Sequence, residues 1–188
     1  MVTFTFNGKE LEVKEGTTIL EVAREQGVEI PTLCYHEEMS SYGACRLCLV
    51  EVTKRGWPSI QPACLYPAQE GIEVETDTER VRKTRKVMLE LYLARSPDSQ
   101  VILDLAHEYG VRDTRFKLRE NETSNCILCG LCVRACSEIS KRNAISFAHR
   151  GSLRTIETPF AELSETCVGC QACSFVCPTG VIEIDEAD

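Results

Sequence analysis

One cysteine pattern occurs twice in the sequence, first as Cys126-Ile-Leu-Cys129-Gly-Leu-Cys132-Val-Arg-Ala-Cys136 and again as Cys167-Val-Gly-Cys170-Gln-Ala-Cys173-Ser-Phe-Val-Cys177-Pro178. In each copy, two residues separate the first three cysteines from one another, and three residues precede the fourth. Thiols this close along the chain are better placed to share a metal centre than to form disulfides between distant segments. The pattern therefore predicts two metal-binding loops in the carboxyl-terminal third of the chain.

The spacing of these cysteines matches that of bacterial proteins with two [4Fe–4S] clusters. Each cluster binds four thiolates, and the last cysteine of each run binds the other cluster. One cluster is therefore expected on Cys126, Cys129, Cys132 and Cys177. The second cluster is expected on Cys136, Cys167, Cys170 and Cys173. Ser137 stands where the bacterial pattern has a proline, but proline supplies no ligand.

The other four cysteines lie in the first third of the chain, at Cys34, Cys45, Cys48 and Cys64. Their spacing differs from the plant-type ferredoxin pattern. A Rieske site is excluded because it would need a histidine where Cys48 stands. Taken alone, the four thiols are compatible with zinc or with a [2Fe–2S] cluster. The [2Fe–2S] cluster is favoured by the two cluster motifs downstream and by the scaffold that the first segment predicts.

That scaffold is an α+β unit over residues 1–78. Apolar and polar residues alternate from residue 2 to 13 around Asn7-Gly8, which predicts a hairpin. Thr18 and Glu21 form a capping box before a helix that Gly27 ends. Further strands are expected at residues 47–53 and 72–76. This order of elements is that of a β-grasp ferredoxin domain.

Residues 79–122 read as a helical connector, and residues 123–188 as a two-cluster ferredoxin-like domain. Helices are expected at residues 80–95 and 99–109. The first of these helices begins with a basic cluster that reads as a solvated face, with docking to an acidic partner as the alternative. The cluster consists of Arg80, Arg82, Lys83, Arg85 and Lys86. Strands are expected in the last domain at residues 144–148, 153–157 and 181–184.

Charge and composition exclude several classes of protein. The formal net charge is −8, and residues 1–78 hold 6 basic and 13 acidic side chains, so a general nucleic-acid binder is not expected. No apolar run is long enough for a membrane span. Residues 1–8 have no secretory pattern, so a cytoplasmic location is expected. In a cytoplasmic chain, 12 cysteines indicate metal or redox chemistry rather than a disulfide framework.

The run CILCGLCVRAC…CVGCQACSFVCPTG, together with the [2Fe–2S] spacing and the helix from Arg80, resembles a known family. It is similar to the amino-terminal region of the large iron–sulfur subunit of complex I. The matching regions of [FeFe]-hydrogenases and of the small diaphorase subunit of NAD-linked hydrogenases look alike. These relatives usually carry a further cluster on one histidine and three cysteines after the long helix. Here that place reads Arg95-Ser96-Pro97-Asp98-Ser99, so that cluster is not expected.

The resemblance implies an electron-transfer subunit of a multi-subunit NAD(P)H-linked oxidoreductase, of the hydrogenase or transhydrogenase type, including the electron-bifurcating kinds. The implied partners are a flavoprotein of the complex I type with FMN and NAD(P)H, a thioredoxin-like subunit and a second redox subunit. Soluble ferredoxin is a further implied partner. A free-standing polyferredoxin shuttle is the alternative, and a zinc-bound scaffold is a third reading. No nucleotide or flavin motif is present, so no catalytic residue is expected.

Overall fold

The computed structural model describes residues 1–117 and 125–183. The chain begins with the expected hairpin of β1 (Val2–Phe6) and β2 (Lys9–Val13), which pair antiparallel. Asn7 and Gly8 form its turn with positive φ angles of 47° and 77°. These two residue types favour such a turn because they tolerate the left-handed region.

Three further strands complete a mixed five-stranded sheet. They are β3 (Leu49–Lys54), β4 (Trp57–Pro62) and β5 (Glu73–Glu75), and the strand order is β2-β1-β5-β3-β4. Strand β5 pairs parallel with β1 and antiparallel with β3. The sheet and the helix packed on it form a β-grasp unit, so the α+β prediction is confirmed.

Strand β4 was not predicted from the sequence. It contains Pro58 and Pro62, and proline is confined in sheets to edge strands and strand ends. β4 satisfies this rule because it lies at the sheet edge, beside β3. Trp57 begins β4 and is 80% exposed.

Helix α1 (Ile19–Glu25) covers one face of the sheet, and its predicted capping box is confirmed. The Thr18 hydroxyl accepts a hydrogen bond from the Glu21 amide, while the Glu21 carboxylate accepts one from the Thr18 amide. The apolar residues of α1 are fully buried. They pack with inward-facing residues of β1, β3 and β5 into the first hydrophobic core, which includes Phe4, Phe6, Ile19, Leu20, Val22, Val50, Val52 and Val74.

Two helices follow, α2 (Glu79–Arg95) and α3 (Gln100–Glu108), close to the expected bounds. The basic residues of α2 were expected to be solvated, and for Arg85 this is wrong because its side chain is buried, with 4% exposed. Its guanidinium donates to the carbonyl oxygens of Leu47, Leu49 and Thr76 at 3.1, 2.6 and 3.1 Å. Arg85 therefore joins α2 to the sheet.

The last segment consists of short elements. Helix α4 (Leu131–Arg134) continues into one π-helical turn (Ala135–Ile139), and α5 (Ala172–Phe175) occupies the same position in the second cysteine repeat. Strands β6 (Ser146–Ala148) and β7 (Thr155–Glu157) pair antiparallel between the repeats, as expected, although each is shorter. The strand expected at residues 181–184 is absent from residues 181–183, and Ile184 lies outside the described residues.

A second hydrophobic core joins these parts. It contains residues from the loop before β3, from α2, from α3 and from the first cysteine repeat, among them Leu33, Cys45, Leu89, Tyr92, Ile102, Cys129 and Leu131. Among the helices of the described residues, none has both the length and the apolar composition needed to cross a bilayer.

Candidate iron–sulfur centres

The thiols Cys34, Cys45, Cys48 and Cys64, here called the amino-terminal site, are almost fully buried. They lie in the loop between α1 and β3 and just after β4. The sulfurs of Cys34 and Cys45 are 3.4 Å apart, and the Cys45 amide donates to the Cys34 sulfur at 3.4 Å. The structure thus brings thiols that are 30 residues apart along the chain into one buried place.

The four thiols form two pairs, and in each pair the pKa of one thiol is lowered and that of the other is raised. The hydrogen bond from Cys34 lowers the pKa of Cys45 to about 6, although burial opposes the shift. The same bond, together with burial, raises the pKa of Cys34. Cys48 and Cys64 form a second pair of this kind, in which the pKa of Cys48 is lowered. Each pair therefore stabilises one thiolate, and the thiolate is the form that binds metals.

The second set of thiols, here called the middle site, lines one cavity of about 150 Å³. It consists of Cys126, Cys129, Cys132 and Cys177, so both cysteine repeats contribute. The rest of the wall is largely apolar and includes Ile127, Ile156, Val181 and Ile182. Burial in these surroundings raises the pKa of Cys129 to about 11 and that of Cys132 to about 12.

The third set, here called the carboxyl-terminal site, consists of Cys136, Cys167, Cys170 and Cys173. The Cys136 sulfur accepts a hydrogen bond from the Ala144 amide at 3.2 Å, and the Cys170 sulfur lies 3.1 Å from the Ser140 hydroxyl. Burial first, and then the nearby charges of Cys136 and Cys170, raise the pKa of Cys173. Cys136 is buried, whereas Cys167 and Cys170 are exposed.

The donor sets fit clusters of several atoms. The thiols of the middle site surround a cavity, and amide groups donate to sulfurs in the amino-terminal and carboxyl-terminal sites. Thiolates and amide donors of this kind hold iron–sulfur clusters and tune them. The division of the twelve thiols into three ligand sets remains a prediction.

Helix α2 contacts both the amino-terminal and the middle site. The Tyr92 hydroxyl donates to the Cys45 carbonyl oxygen at 2.9 Å, and Arg95 Nε donates to the Cys126 carbonyl oxygen at 2.7 Å. Burial, and then the charges of Cys45, Cys34 and Cys129, raise the pKa of Tyr92. The sequence indicated no such role, because these contacts depend on how α2 packs against distant loops.

The segment that follows α2 is well packed. Ser96 and Ser99 are buried, and their hydroxyls have no partner among the described residues. Helix α3 starts after Ser99 and places Ile102 and Ala106 in the second core. Its His107 is exposed. Helix α3 therefore packs beside α2 through apolar residues.

Two family models match the chain. The 2Fe-2S iron-sulfur cluster binding domain matches residues 1–79, and the 4Fe-4S dicluster domain matches residues 125–181. The first match covers the amino-terminal site, and the second covers the other eight cysteines.

Several curated proteins are similar over 97% of this chain. The NADPH-Fe(3+) oxidoreductase subunit alpha of Geobacter sulfurreducens is 34% identical, and an NADH-quinone oxidoreductase subunit of Rhizobium meliloti is 32% identical. The NADP-reducing hydrogenase subunit HndD of Solidesulfovibrio fructosivorans is 30% identical. The chain spans 24%, 24% and 36% of the length of these three relatives.

A solved structure resembles nearly the whole chain. A chain in the crystal structure of an NAD+-reducing [NiFe]-hydrogenase, in the H2-reduced state, is similar with a TM-score of 0.82 and 30% identity. The similarity covers 96% of this chain and 86% of that chain. The two chains thus share one overall fold.

Proposed function

Because this chain belongs to the family that comprises the amino-terminal iron–sulfur region of the complex I large subunit and its counterparts in NAD(P)-linked hydrogenases, we propose that it relays single electrons within a cytoplasmic multi-subunit NAD(P)H-linked oxidoreductase. Its domains bind one [2Fe–2S] cluster and two [4Fe–4S] clusters. Clusters of these types accept one electron at a time.

The observation that carries the proposal is the continuous packing of the cluster sites. Cys45 and Cys129, from the amino-terminal and middle sites, belong to one hydrophobic core. The middle and carboxyl-terminal sites are interleaved, because Cys177 lines the middle cavity while Cys136 neighbours Cys173. A protein that stacks redox centres in series, without a substrate motif, supports transfer of electrons between partners rather than chemistry on a substrate.

We assign the ligands as predicted from the cysteine spacing. The amino-terminal site holds the [2Fe–2S] cluster, and the middle and carboxyl-terminal sites hold one [4Fe–4S] cluster each. The corresponding domains are residues 1–78 and 123–188, with residues 79–122 as the helical connector. The shared cavity of Cys177 with the first cysteine repeat supports the crossed assignment.

The proposed partners are a flavoprotein of the complex I type, which binds FMN and NAD(P)H, and a second redox subunit of the hydrogenase or transhydrogenase type. The alternative of a free-standing shuttle is favoured by one observation. Cys167 and Cys170 are exposed, so a cluster bound there is open to a colliding acceptor.

Anaerobic expression of the chain with the proteins encoded beside it tests the proposal. We expect stable co-elution with a flavoprotein, about ten irons per chain, and reduction of the clusters by NADH or NADPH in that complex. A chain that elutes alone, and that NAD(P)H does not reduce in the presence of the flavoprotein, would support the shuttle instead. A chain that contains zinc in place of iron would overturn both readings.

The crossed ligand assignment is tested by counting iron in double variants. Cys177→Ala is expected to lose the middle cluster, which leaves about six irons. Adding Cys129→Ala should then change nothing, because both residues serve one cluster. Adding Cys170→Ala instead should leave about two irons. If the Cys129 and Cys170 additions exchange these outcomes, the clusters are not crossed.

A further inference from the structure

Arg134 is a buried cation between two of the cysteine sites. It lies in α4, between Cys132 and Cys136, and 8% of it is exposed. One terminal nitrogen of its guanidinium donates to the Cys34 carbonyl oxygen at 2.6 Å, and the other donates to the Ser40 carbonyl oxygen. Nε is buried and has no hydrogen-bond partner in residues 1–117 and 125–183.

Arg134 lies beside both sites. Its guanidinium contacts the loop of the amino-terminal site through Cys34, and in α4 it stands two residues after Cys132 of the middle site. The Tyr42 ring, whose centroid is 5.7 Å from the guanidinium carbon, covers one side of it. The side chain thus spans the boundary between the two sites.

Arg134 forms no ion pair within the part of the chain that the structure describes. The ion pairs found there do not include Arg134. The nearby Glu138 instead accepts hydrogen bonds from the Ser40 amide and hydroxyl at 2.7 and 2.5 Å. The charge of Arg134 helps to lower the pKa of Glu138, so this carboxylate compensates the buried cation in part. A buried charge that is only partly compensated is costly. Clusters held by four thiolates are anions, and two such anions are expected beside Arg134.

The contacts around Arg134 hold the two sites at a fixed separation. Glu138 ties the π-helical turn to Ser40, while Tyr92 and Arg95 tie one helix to the ligand loops of both sites. Arg134 adds the direct link from α4 to the carbonyl group of a predicted ligand, Cys34. A positive charge near both sites and a direct link between them therefore meet in this one residue.

We propose that Arg134 is a positioning residue that fixes the separation of the [2Fe–2S] and middle [4Fe–4S] sites and raises the reduction potential of both clusters. The proposal rests on the ligand sets of the proposed function. Reduction adds negative charge to a cluster, and a fixed cation in a poorly solvated place stabilises that charge. The hydrogen bonds of the guanidinium to Cys34 and Ser40 set the distance, because both acceptors are backbone atoms.

Redox titration of the isolated chain, with its clusters loaded and followed by electron paramagnetic resonance, tests the proposal. In Arg134→Met we expect the reduced-to-oxidised ratio of both clusters to fall about tenfold at a given potential, which is about 59 mV for a one-electron couple. Arg134→Lys keeps the positive charge but loses the pair of guanidinium hydrogen bonds to Cys34 and Ser40. The reduction potentials of both clusters should therefore stay near those of the wild type. Its magnetic interaction between the two reduced clusters should change, since that interaction depends steeply on separation.

Arg150→Met is the matched control, because Arg150 is exposed and solvent screens its charge. It should leave both potentials and the interaction unchanged. If Arg134→Met loads both clusters and titrates like the wild type, the proposal is wrong. If Arg134→Met does not load, the lysine variant decides: wild-type potentials with an altered interaction support the proposal, and any other result overturns it. The measurement needs no partner, so it is independent of whether the chain works in a complex.

Discussion

Replacing Arg85 with methionine removes hydrogen bonds that join α2 to β3 and to residues that flank the strands of the sheet. The Arg85 guanidinium donates to three carbonyl oxygens, and one of its terminal nitrogens, Nη1, donates to the Tyr109 hydroxyl at 3.3 Å. Methionine has a similar length and no donor. The backbone oxygens of Leu47, Leu49 and Thr76 would therefore lose their bonds to Arg85, while the core keeps most of its volume.

The expected loss of stability is set by those three bonds. Hydrogen bonds to a charged group are worth about 1.5–3 kcal/mol each. Their sum is an upper limit, because the variant no longer buries a charge and water can reach part of the space. We expect Arg85→Met to lower the free energy of unfolding by about 3–5 kcal/mol, because three carbonyl oxygens lose a donor at about 1–3 kcal/mol each and water replaces part of the loss. Retention of the [2Fe–2S] cluster should fall as well, because Leu47 lies between Cys45 and Cys48.

Urea unfolding of the anaerobic protein, followed by far-ultraviolet circular dichroism, measures the change. Unfolding and refolding curves must superimpose, and the slope with urea must match that of the wild type. Lys83→Met is the control because Lys83 is exposed on the same helix. We expect no measurable change from it. A shift of less than about 0.5 kcal/mol in Arg85→Met, the range of neutral surface changes, would refute the reasoning.

Two further predictions concern local structure. Gly130→Ala should destabilise by about 2–4 kcal/mol, because φ is 71° and a Cβ would lie 2.9 Å from Phe147 Cζ. Gly8 also has a positive φ (77°), but an added Cβ there would meet no other atom. Gly8→Ala should therefore lower the melting temperature less than Gly130→Ala does, and equal decreases would contradict the clash with Phe147. Thr18→Ala should cost about 1 kcal/mol in urea unfolding through loss of the capping box, and an unchanged midpoint would contradict this.

Local signals predicted much of the fold. The hairpin at Asn7-Gly8 and the start of α1 depend on residues that are neighbours in the sequence, so the pattern contained the necessary information. Strand β4 escaped prediction because Pro58 and Pro62 disfavour strands, and its edge position is a property of the whole sheet. The prolines argued against a strand at this point, whereas the place at the sheet edge allows one.

Buried arginines were the main feature that the sequence did not indicate. Arg85 lies among basic residues that are exposed, and its burial depends on carbonyl groups that are 36 and 38 residues away. Arg134 lies between the cysteines of a motif whose pattern predicts only the ligands. The sequence therefore gave no indication that its side chain is buried. The grouping of cysteines was readable from spacing, whereas the contacts between the groups required the packed structure.

The solvent exposure of the thiols increases from the amino-terminal site to the carboxyl-terminal site. All four at the amino-terminal site are buried, two of the middle site are partly covered, and two of the carboxyl-terminal site are exposed. Oxidants attack accessible thiolates first. In air, the cluster of the carboxyl-terminal site should therefore be lost first. The cluster of the amino-terminal site should be lost last, so an aged sample would keep only the colour of that cluster.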